Sequence, residues 1–197
     1  MGVREDRLSA EYVGIKKWRS DVVTWKVIGG STPPDKYEFT YNLKSIVGFD
    51  SNKKPLYHTG FKVIIEFPSD YPRSKPEVFL AGNSKPWPFH PNIWTDGRFC
   101  LEGTQHWIPG IGAPVDSICQ MIGEMIAFQE VYVKSPANGD QVLLDWVEKN
   151  LKLEKGTANK VNNPIDNSTI RLPDIEDTIM WGKDEKGGTS KKIVFGE

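Results

Sequence analysis

The sequence predicts a single α+β domain, and three observations predict it. A helical pattern opens the chain, four segments with alternating apolar residues follow before residue 81, and two more helical patterns lie after residue 113. A chain of 197 residues is long enough for one domain of about 150 residues with its own core and a tail. We therefore expect one domain over residues 1–152 and an extension over residues 153–197.

The first element is an amphipathic helix over residues 4–18. Leu8, Tyr12 and Ile15 recur at helical spacing among charged residues, so one face is apolar and the other is polar. We expect this helix to lie on the surface of the domain with its apolar face against the core.

Four strands follow the helix. The segments VVTWKVIG and YEFTYNL alternate apolar and polar residues with a period of two, and FKVIIEF and PEVFL supply the third and fourth strands. Turn-forming residues in STPPDK and DSNKKP separate the strands by short links. Short links favour a four-stranded antiparallel meander.

An irregular stretch over residues 81–113 interrupts this order. It is rich in Pro, Gly and Asn, and its own aromatic residues anchor it, so we expect an ordered functional loop. Helices are predicted near residues 114–129 and 138–152. The polar residues 153–197, which end in the strand-like IVFGE, predict a partly flexible extension.

The charge balance excludes several classes of partner. The 25 basic and 26 acidic residues give a net charge of -1, which provides no field for nucleic acid or an anionic membrane. The sequence shows no signal peptide and no apolar run of about 18 residues, so we expect a cytoplasmic protein. It also has no phosphate-binding loop and no Cys-x-x-Cys pair, and we expect neither a cofactor nor a metal.

The two cysteines have different surroundings. Cys119 lies within VDSICQMIGEMIAF, where apolar residues recur at helical spacing, and we expect it to be a buried core residue. Cys100 follows a glycine and charged residues in the irregular stretch, where loops commonly present reactive groups. Cys100 is therefore the candidate nucleophile.

Around Cys100 the sequence resembles the ubiquitin-conjugating enzyme family. The resemblance covers roughly residues 5–150 and rests on motifs in the family's order: Tyr71-Pro72 with Pro76, His90-Pro91-Asn92-Ile93, Gly97, Cys100-Leu101, Trp107-x-Pro109 and Ser135-Pro136-Ala137-Asn138. It implies the α+β fold of that family: an N-terminal helix, a four-stranded antiparallel meander, a long active-site loop and C-terminal helices.

The resemblance also implies an activity. An activating enzyme would pass ubiquitin or a ubiquitin-like modifier to Cys100 as a thioester, and a lysine amine of a protein substrate would then attack it, often with a ligase. A thiol suits this relay because it accepts an acyl group and keeps it reactive toward amines. Asn92 matches the family position for an amide donor to the oxyanion. The alternative is that Asn92 only braces the loop through its backbone, and both roles can coexist.

The remaining motif residues are expected to support the loop. The family uses His90 structurally, Pro91 and Leu101 flank the two catalytic positions, and Trp107 and Pro109 would pin the segment after the cysteine by packing. Ser135 matches a gate position where the family often has an acidic or small polar residue. Since serine is not a carboxylate, lysine activation would rely on desolvation, on Asp96 or Glu102, or on partners.

The first helix matches the family's surface for the activating enzyme. Its basic residues Arg4, Arg7, Lys16 and Lys17 would then set the rate of encounter. The commoner alternative is a plain solvated helix face.

The chain also departs from the family pattern. The segment GNSKPWP is an insertion that compact members lack, and Arg73 stands where many members have an apolar residue that docks ligases. These departures suit a prokaryotic or otherwise atypical pathway with a dedicated modifier.

Two alternatives to a conjugating enzyme come from other classes. One is a non-catalytic variant of the fold that binds ubiquitin or acts as a scaffold. The other is a cysteine hydrolase, which needs a histidine base near its nucleophile, and none of the three histidines lies in a supporting motif.

Overall fold

The computed structural model describes residues 2–30, 32–101, 114–133 and 135–151, together with the backbone of three short strands beyond them. The predicted α+β order is confirmed. The elements are α1 Val3–Lys17, β1 Val23–Gly29, β2 Lys36–Phe49, β3 Pro55–Glu66, β4 Glu77–Leu80, α2 Val115–Ile126, β5 Glu130–Val131, α3 Gln141–Asn150, β6 Asn159–Lys160, β7 Met180–Lys183 and β8 Thr189–Lys192.

Strands β1 to β4 form one antiparallel sheet in chain order, which confirms the predicted meander. Two smaller antiparallel pairs, β5 with β6 and β7 with β8, lie outside it. The predicted extension lies mostly outside the described residues, and so does IVFGE.

Strand β2 is longer than its alternating pattern predicts. The pattern ends at Leu43, but pairing with β3 continues to Phe49 across register shifts between Tyr41 and Lys44 and between Ile46 and Gly48. A bulge adds a residue to one strand and breaks the period of two, so alternation ends before the ladder does. Asp50 closes the hairpin by accepting hydrogen bonds from the backbone of Asn52 and Lys54.

The main core lies between the sheet, α1 and α2. Leu8 and Ile15 are each 1% exposed, which confirms the predicted apolar face of the first helix. The sheet contributes the inward residues Tyr37, Phe39, Tyr41, Phe61, Val63 and Ile65, and α2 contributes Ile118, Cys119, Ile122 and Ile126.

A second, smaller cluster lies where the far end of the β2–β3 hairpin meets α3. It consists of Ile46, Phe128, Val131, Leu143, Val147 and Leu151, with Phe49, Phe89 and Trp146 packed against it. Helix α3 begins after Asp140, whose carboxylate accepts a hydrogen bond from the Leu143 N–H at 3.0 Å. This cap explains why the helix starts three residues later than its apolar pattern predicts.

Candidate active site

Cys100 ends a short irregular hairpin that occupies residues 92–100. Its backbone N–H donates to the carbonyl of Asn92 at 2.8 Å, and the Trp94 N–H donates to the carbonyl of Arg98 at 2.8 Å. A glycine, Gly97, takes the positive φ of 90° that the turn requires. The hairpin therefore brings the cysteine and the asparagine of the predicted site together, although they are eight residues apart in the chain.

The returning half of the hairpin is attached to strand β4. The Leu80 N–H donates to the Gly97 carbonyl at 2.9 Å, and the Phe99 N–H donates to the Val78 carbonyl at 3.0 Å. These bonds fix the segment that leads to Cys100 on the edge of the main sheet.

The residues on either side of Cys100 are buried in the main core. Phe99 is 7% exposed and Leu101 is 6% exposed, whereas Cys100 is a free thiol of intermediate burial. Two buried neighbours hold the backbone in place and leave the thiol accessible. The predicted nucleophile is thus held on a rigid support.

Asn92 joins the hairpin to the segment after α2 through its side chain. Its Nδ2 donates to the Tyr132 carbonyl at 2.7 Å, and its Oδ1 accepts from the Tyr132 N–H at 2.7 Å. Because the Asn92 amide pairs with both the N–H and the carbonyl of Tyr132, it fixes the distance between the hairpin and the segment after α2. Asn92 therefore braces the site through its side chain, in addition to the backbone hydrogen bond that it accepts from Cys100.

His90 is a buried structural residue. It has no exposed surface, its Nδ1 accepts a hydrogen bond from the Asn92 N–H at 3.0 Å, and its ring contacts Phe128 at a centroid distance of 4.4 Å. Because Nδ1 serves as an acceptor here, the proton of the neutral ring lies on Nε2. This geometry agrees with the structural role that the resemblance implies.

A second clamp holds the other end of the segment after α2. The Asn138 N–H donates to the Pro91 carbonyl at 2.9 Å. The loop that contains Ser135 therefore begins at Tyr132 and ends at Asn138, and both ends are bound to residues 91–92. Ser135 is exposed on this loop, beside the hairpin that ends at Cys100.

Phe128 packs against His90, just before the hairpin, and has a left-handed backbone conformation. Its φ is 56°, a left-handed conformation that glycine adopts more readily. The Phe128 N–H donates to the Met125 carbonyl at 2.9 Å, and the Gln129 N–H donates to the Glu124 carbonyl at 2.7 Å, which is the hydrogen-bond pattern of a Schellman motif. The helix therefore ends with a buried aromatic ring placed against His90.

Asp96 lies on the turn of the hairpin and pairs with Arg98. Its carboxylate accepts from the Arg98 backbone N–H at 3.1 Å and from the Arg98 Nε at 2.8 Å. The backbone hydrogen bond, followed by those of the guanidinium, lowers the pKa of Asp96. A carboxylate with a lowered pKa is a weaker base, so Asp96 is poorly suited to remove a proton from an incoming amine.

The predicted insertion packs directly against the hairpin. The Trp87 indole donates to the Ala81 carbonyl at 3.1 Å, and its ring lies so close to Gly97 that an added Cβ would approach it to 3.1 Å. Beside the ring is a cavity of about 290 Å³ whose lining includes Trp94, which is 44% exposed. The insertion therefore reshapes one side of the site.

The four basic residues predicted on α1 differ in their contacts. Arg4 donates to the Pro68 carbonyl at 3.1 Å and to Asp35 at 3.0 Å, and Arg7 Nε lies 2.9 Å from a carboxylate oxygen of Glu11. Arg4 therefore holds the helix on the domain, whereas the Arg7–Glu11 ion pair lies within the helix. Lys16 and Lys17 are exposed at the end of the helix.

The other residues of interest have separate outcomes. Cys119 is 1% exposed, which confirms it as a core residue. This burial raises the pKa of its thiol. Trp107 and Pro109 lie outside the described residues, as do Glu102 and His106.

In the part of the chain that the structure describes, no three His, Cys, Asp or Glu side chains lie close enough together to hold a metal ion. None of the helices in that part is both long and apolar enough to span a membrane.

The sequence reasoning missed Tyr132 and Phe128, which support the site. Tyr132 acts through its backbone, so its side chain carries no signal. Phe128 follows a regular apolar pattern that does not reveal its left-handed backbone. The described site is thus an accessible thiol beside a buried amide, on a loop braced from two sides, and it can hold an acyl group on sulfur.

Comparisons with known proteins place the chain in a family. The family model described as ubiquitin-conjugating enzyme matches residues 31–158. The ubiquitin-conjugating enzyme E2-34 kDa of Saccharomyces cerevisiae is 27% identical over 54% of this chain, which spans 37% of the length of that relative. The probable ubiquitin-conjugating enzyme E2 16 of Arabidopsis thaliana is 26% identical, over 68% of this chain and 86% of its own length.

A similar solved structure is that of human ubiquitin-conjugating enzyme E2 G1. It has 20% sequence identity and a TM-score of 0.44, and it covers 62% of this chain and 93% of its own. The family model alone matches well over half of the chain, and the ordered motifs around Cys100 lie within the matched residues. The chain therefore belongs to the ubiquitin-conjugating enzyme family.

Proposed function

We propose that this protein carries ubiquitin or a ubiquitin-like modifier as a thioester on Cys100 and transfers it to a lysine amine of a protein substrate. The observation that carries the proposal is the placement of Cys100. Its thiol is accessible between two buried residues, and its backbone is hydrogen-bonded to Asn92. A thiol held in this way can accept an acyl group without a separate base.

The reaction has two steps. The Cys100 thiolate attacks the thioester carbonyl of the modifier on the activating enzyme, the new carbon–sulfur bond forms, and the bond to that enzyme's sulfur breaks so that its thiolate leaves. The lysine nitrogen then attacks the same carbonyl carbon, the carbon–sulfur bond to Cys100 breaks, and the nitrogen loses a proton to the surroundings. Both steps build negative charge on the carbonyl oxygen, which a nearby donor stabilises.

Asn92 is the donor that we assign to this oxygen. Its Nδ2 carries two hydrogens, one of which is directed to the Tyr132 carbonyl. We assign the second hydrogen to the oxyanion. Bracing and charge stabilisation then use different atoms of one amide, so the two roles coexist in one side chain.

The lysine proton leaves without help from Asp96 in this mechanism. The pKa of Asp96 is lowered by its bonds to Arg98, so the carboxylate holds a proton weakly. We assign activation of the lysine to desolvation at the site and to bound partners, and Ser135 to the rim where the lysine enters. Trp107 and Pro109 keep their proposed role of pinning the segment after Cys100.

The partners follow from the same proposal. They are the modifier, an activating enzyme, the substrate lysine and, for some substrates, a ligase. The activating enzyme would bind α1, where Lys16 and Lys17 supply exposed positive charge beyond that of Arg4 and Arg7. Action in the cytoplasm, without nucleic acid or membrane partners, stays a prediction from composition.

His90 favours a carrier over a cysteine hydrolase. Its Nδ1 accepts from Asn92 and its ring is packed against Phe128, so it is held as part of the support. A hydrolase would need a histidine within hydrogen-bond reach of the nucleophile. The non-catalytic binding variant of the fold is the alternative that the experiment below separates.

A charging assay tests the proposal. The purified protein is incubated with ubiquitin, a ubiquitin-activating enzyme and ATP, and adducts are detected on a non-reducing gel and by mass spectrometry. We expect a thiol-sensitive adduct that is lost in Cys100→Ala and kept in Cys119→Ala. The same assay with a ubiquitin-like modifier and its own activating enzyme identifies the preferred modifier. A folded protein that forms no adduct with any pair would overturn the proposal in favour of the binding variant.

A further inference from the structure

A buried carboxylate on α1 connects three segments outside the active site. Glu11 is 5% exposed although it carries a charge. Its Oε1 accepts a hydrogen bond from the Tyr71 hydroxyl at 2.7 Å and lies 2.9 Å from the Arg7 Nε, while its Oε2 accepts from the Val115 N–H at 3.0 Å. One side chain thus joins α1, the loop between β3 and β4, and the start of α2.

The surroundings of Glu11 require a carboxylate. Both of its oxygens face hydrogen-bond donors, so a glutamine would place its NH₂ group against Arg7 or against the Val115 N–H. Pro114, which lies just before Val115 at the start of α2, provides no side-chain cap for that helix. Glu11 therefore supplies from another helix the negative charge that a helix N-terminus favours.

Helix α2 runs from this contact to the active-site loop. It contains 12 residues and is about 18 Å long at 1.5 Å per residue. Glu11 binds its first residue, and Phe128, just past its last turn, contacts His90. The position of α1 and the position of the Cys100 hairpin are therefore fixed to opposite ends of one helix.

We propose that Glu11 is a positioning residue for the transfer of the modifier onto Cys100. It holds α1, the Tyr71 loop and α2 as one body, so that an activating enzyme bound to α1 meets Cys100 in one orientation. This inference rests on the proposed function. Glu11 itself touches neither the modifier nor the reacting atoms.

Steady-state charging of Glu11→Gln tests the inference, with the protein as the varied substrate of a ubiquitin-activating enzyme. Because the docking surface loses its fixed geometry while the thiol is unchanged, we expect KM to rise about tenfold and kcat to change less than threefold. Discharge of the preformed thioester to free lysine should stay within about twofold of wild type. Glu148→Gln, an exposed carboxylate on α3, is the matched control and should leave all three values unchanged.

Tyr71→Phe provides a milder variant in case Glu11→Gln folds poorly. It keeps the ring and removes one of the donors to Glu11, so we expect a rise in KM of about threefold with the same discharge rate. Amide hydrogen exchange at Val115 should be faster in Glu11→Gln than in the Glu148→Gln control.

The outcomes separate this inference from the proposed function. Wild-type protein that charges, with folded Glu11→Gln and Tyr71→Phe variants whose KM is unchanged, overturns the inference alone. A loss confined to kcat, or an equal loss in free-lysine discharge, also overturns it because the effect would then lie at the thiol. Wild-type protein that never charges overturns the proposed function and the inference with it.

Discussion

The main core and the smaller cluster beneath the active-site hairpin are built in different ways. The main core takes whole faces of α1, the sheet and α2, so its residues recur at regular spacing. The smaller cluster joins one apolar stripe of α3, at Leu143, Val147 and Leu151, to single residues from distant segments, such as Ile46 and Phe128. The comparison teaches that the scaffold of this protein follows periodic patterns throughout, whereas the support of the active-site hairpin adds to one periodic helix face residues such as Phe128 that no periodicity marks.

The two cysteines of the chain also have different surroundings. Cys119 belongs to the main core, and the Tyr41 hydroxyl donates to its backbone carbonyl at 3.0 Å. Cys100 lies at the end of the hairpin, where its neighbours Phe99 and Leu101 are buried in the main core while Cys100 itself is partly exposed. The same residue type is therefore an inert packing group at one position and the candidate nucleophile at the other.

Alkylation of the native protein should give the largest contrast, which is between the two cysteines. We expect iodoacetamide at pH 8 to modify Cys100 at least about 1000-fold faster than Cys119, because Cys119 reacts only after the core opens. Peptide mapping by mass spectrometry measures both rates. In 8 M urea the two rates should converge, and comparable rates in the native protein would contradict the assignment of Cys119 to the core.

Truncating one buried ring in each region should cost similar stability, but only the ring of the smaller cluster should affect discharge of the thioester. We expect Phe128→Ala and Phe39→Ala each to lower the free energy of unfolding by about 3–5 kcal/mol, as measured by urea denaturation. The milder Phe128→Leu should also slow discharge of the Cys100 thioester to free lysine, because Phe128 supports His90. Phe39→Leu should leave that discharge unchanged, so equal slowing in both leucine variants would argue against a special role for the smaller cluster.

Removing the amide of Asn92 should affect chemistry more than stability. We expect Asn92→Ala to lower the rate of discharge to free lysine by about 100- to 1000-fold through loss of the oxyanion donor. The unpaired backbone of Tyr132 should lower the free energy of unfolding by about 1–3 kcal/mol. Single-turnover kinetics measure the first effect and urea denaturation the second.

The exposed Asn83 offers a control for that variant, since Asn83→Ala should keep both values. If Asn92→Ala lost stability but kept its discharge rate, the role of Asn92 would be bracing alone.

Alkaline pH should weaken the main core through its buried thiol by a smaller amount. Burial raises the pKa of Cys119, so the folded state keeps the proton to a higher pH than the unfolded state does. The stability linked to this thiol is therefore complete below the unfolded pKa of about 8.5 and is lost as pH rises above it, by up to about 1.4 kcal/mol per pH unit.

Urea denaturation at pH 8 and pH 10 should show a smaller loss for Cys119→Ala than for wild type. Burial also raises the pKa of Tyr41 and Tyr71, so both proteins should lose some stability. An identical loss in the two proteins would show that the thiol does not titrate with unfolding.

The scaffold was predictable from the sequence because burial repeats along each element. Leu8 and Ile15 marked the inner face of α1, and alternation marked the strands. Where the repeat broke at the bulges of β2, the prediction ended early at Leu43. The positions of Cys100 and Asn92 followed from the ordered motifs around them rather than from any periodicity.

The supports of the site were not predictable in the same way. Tyr132 binds Asn92 through its backbone, 40 residues along the chain, and a backbone contact leaves no residue type to recognise. Glu11 did carry a signal, because it lies three residues after Leu8 and four before Ile15 on the apolar face of α1. A charged residue on a buried stripe indicates a specific partner, and that partner proved to be the start of α2.

The double clamp between residues 91–92 and the ends of the loop at Tyr132 and Asn138 also limits where the chain can change in length. A segment that spans two fixed points cannot take up extra residues by sliding at either end. Peptide tags or longer natural variants are therefore better placed after Asp50, where the β2–β3 turn is exposed beyond its first residue. Residues added between Tyr132 and Asn138 would bulge outward at the rim of the thiol, whereas residues added at the hairpin tip would lie away from it.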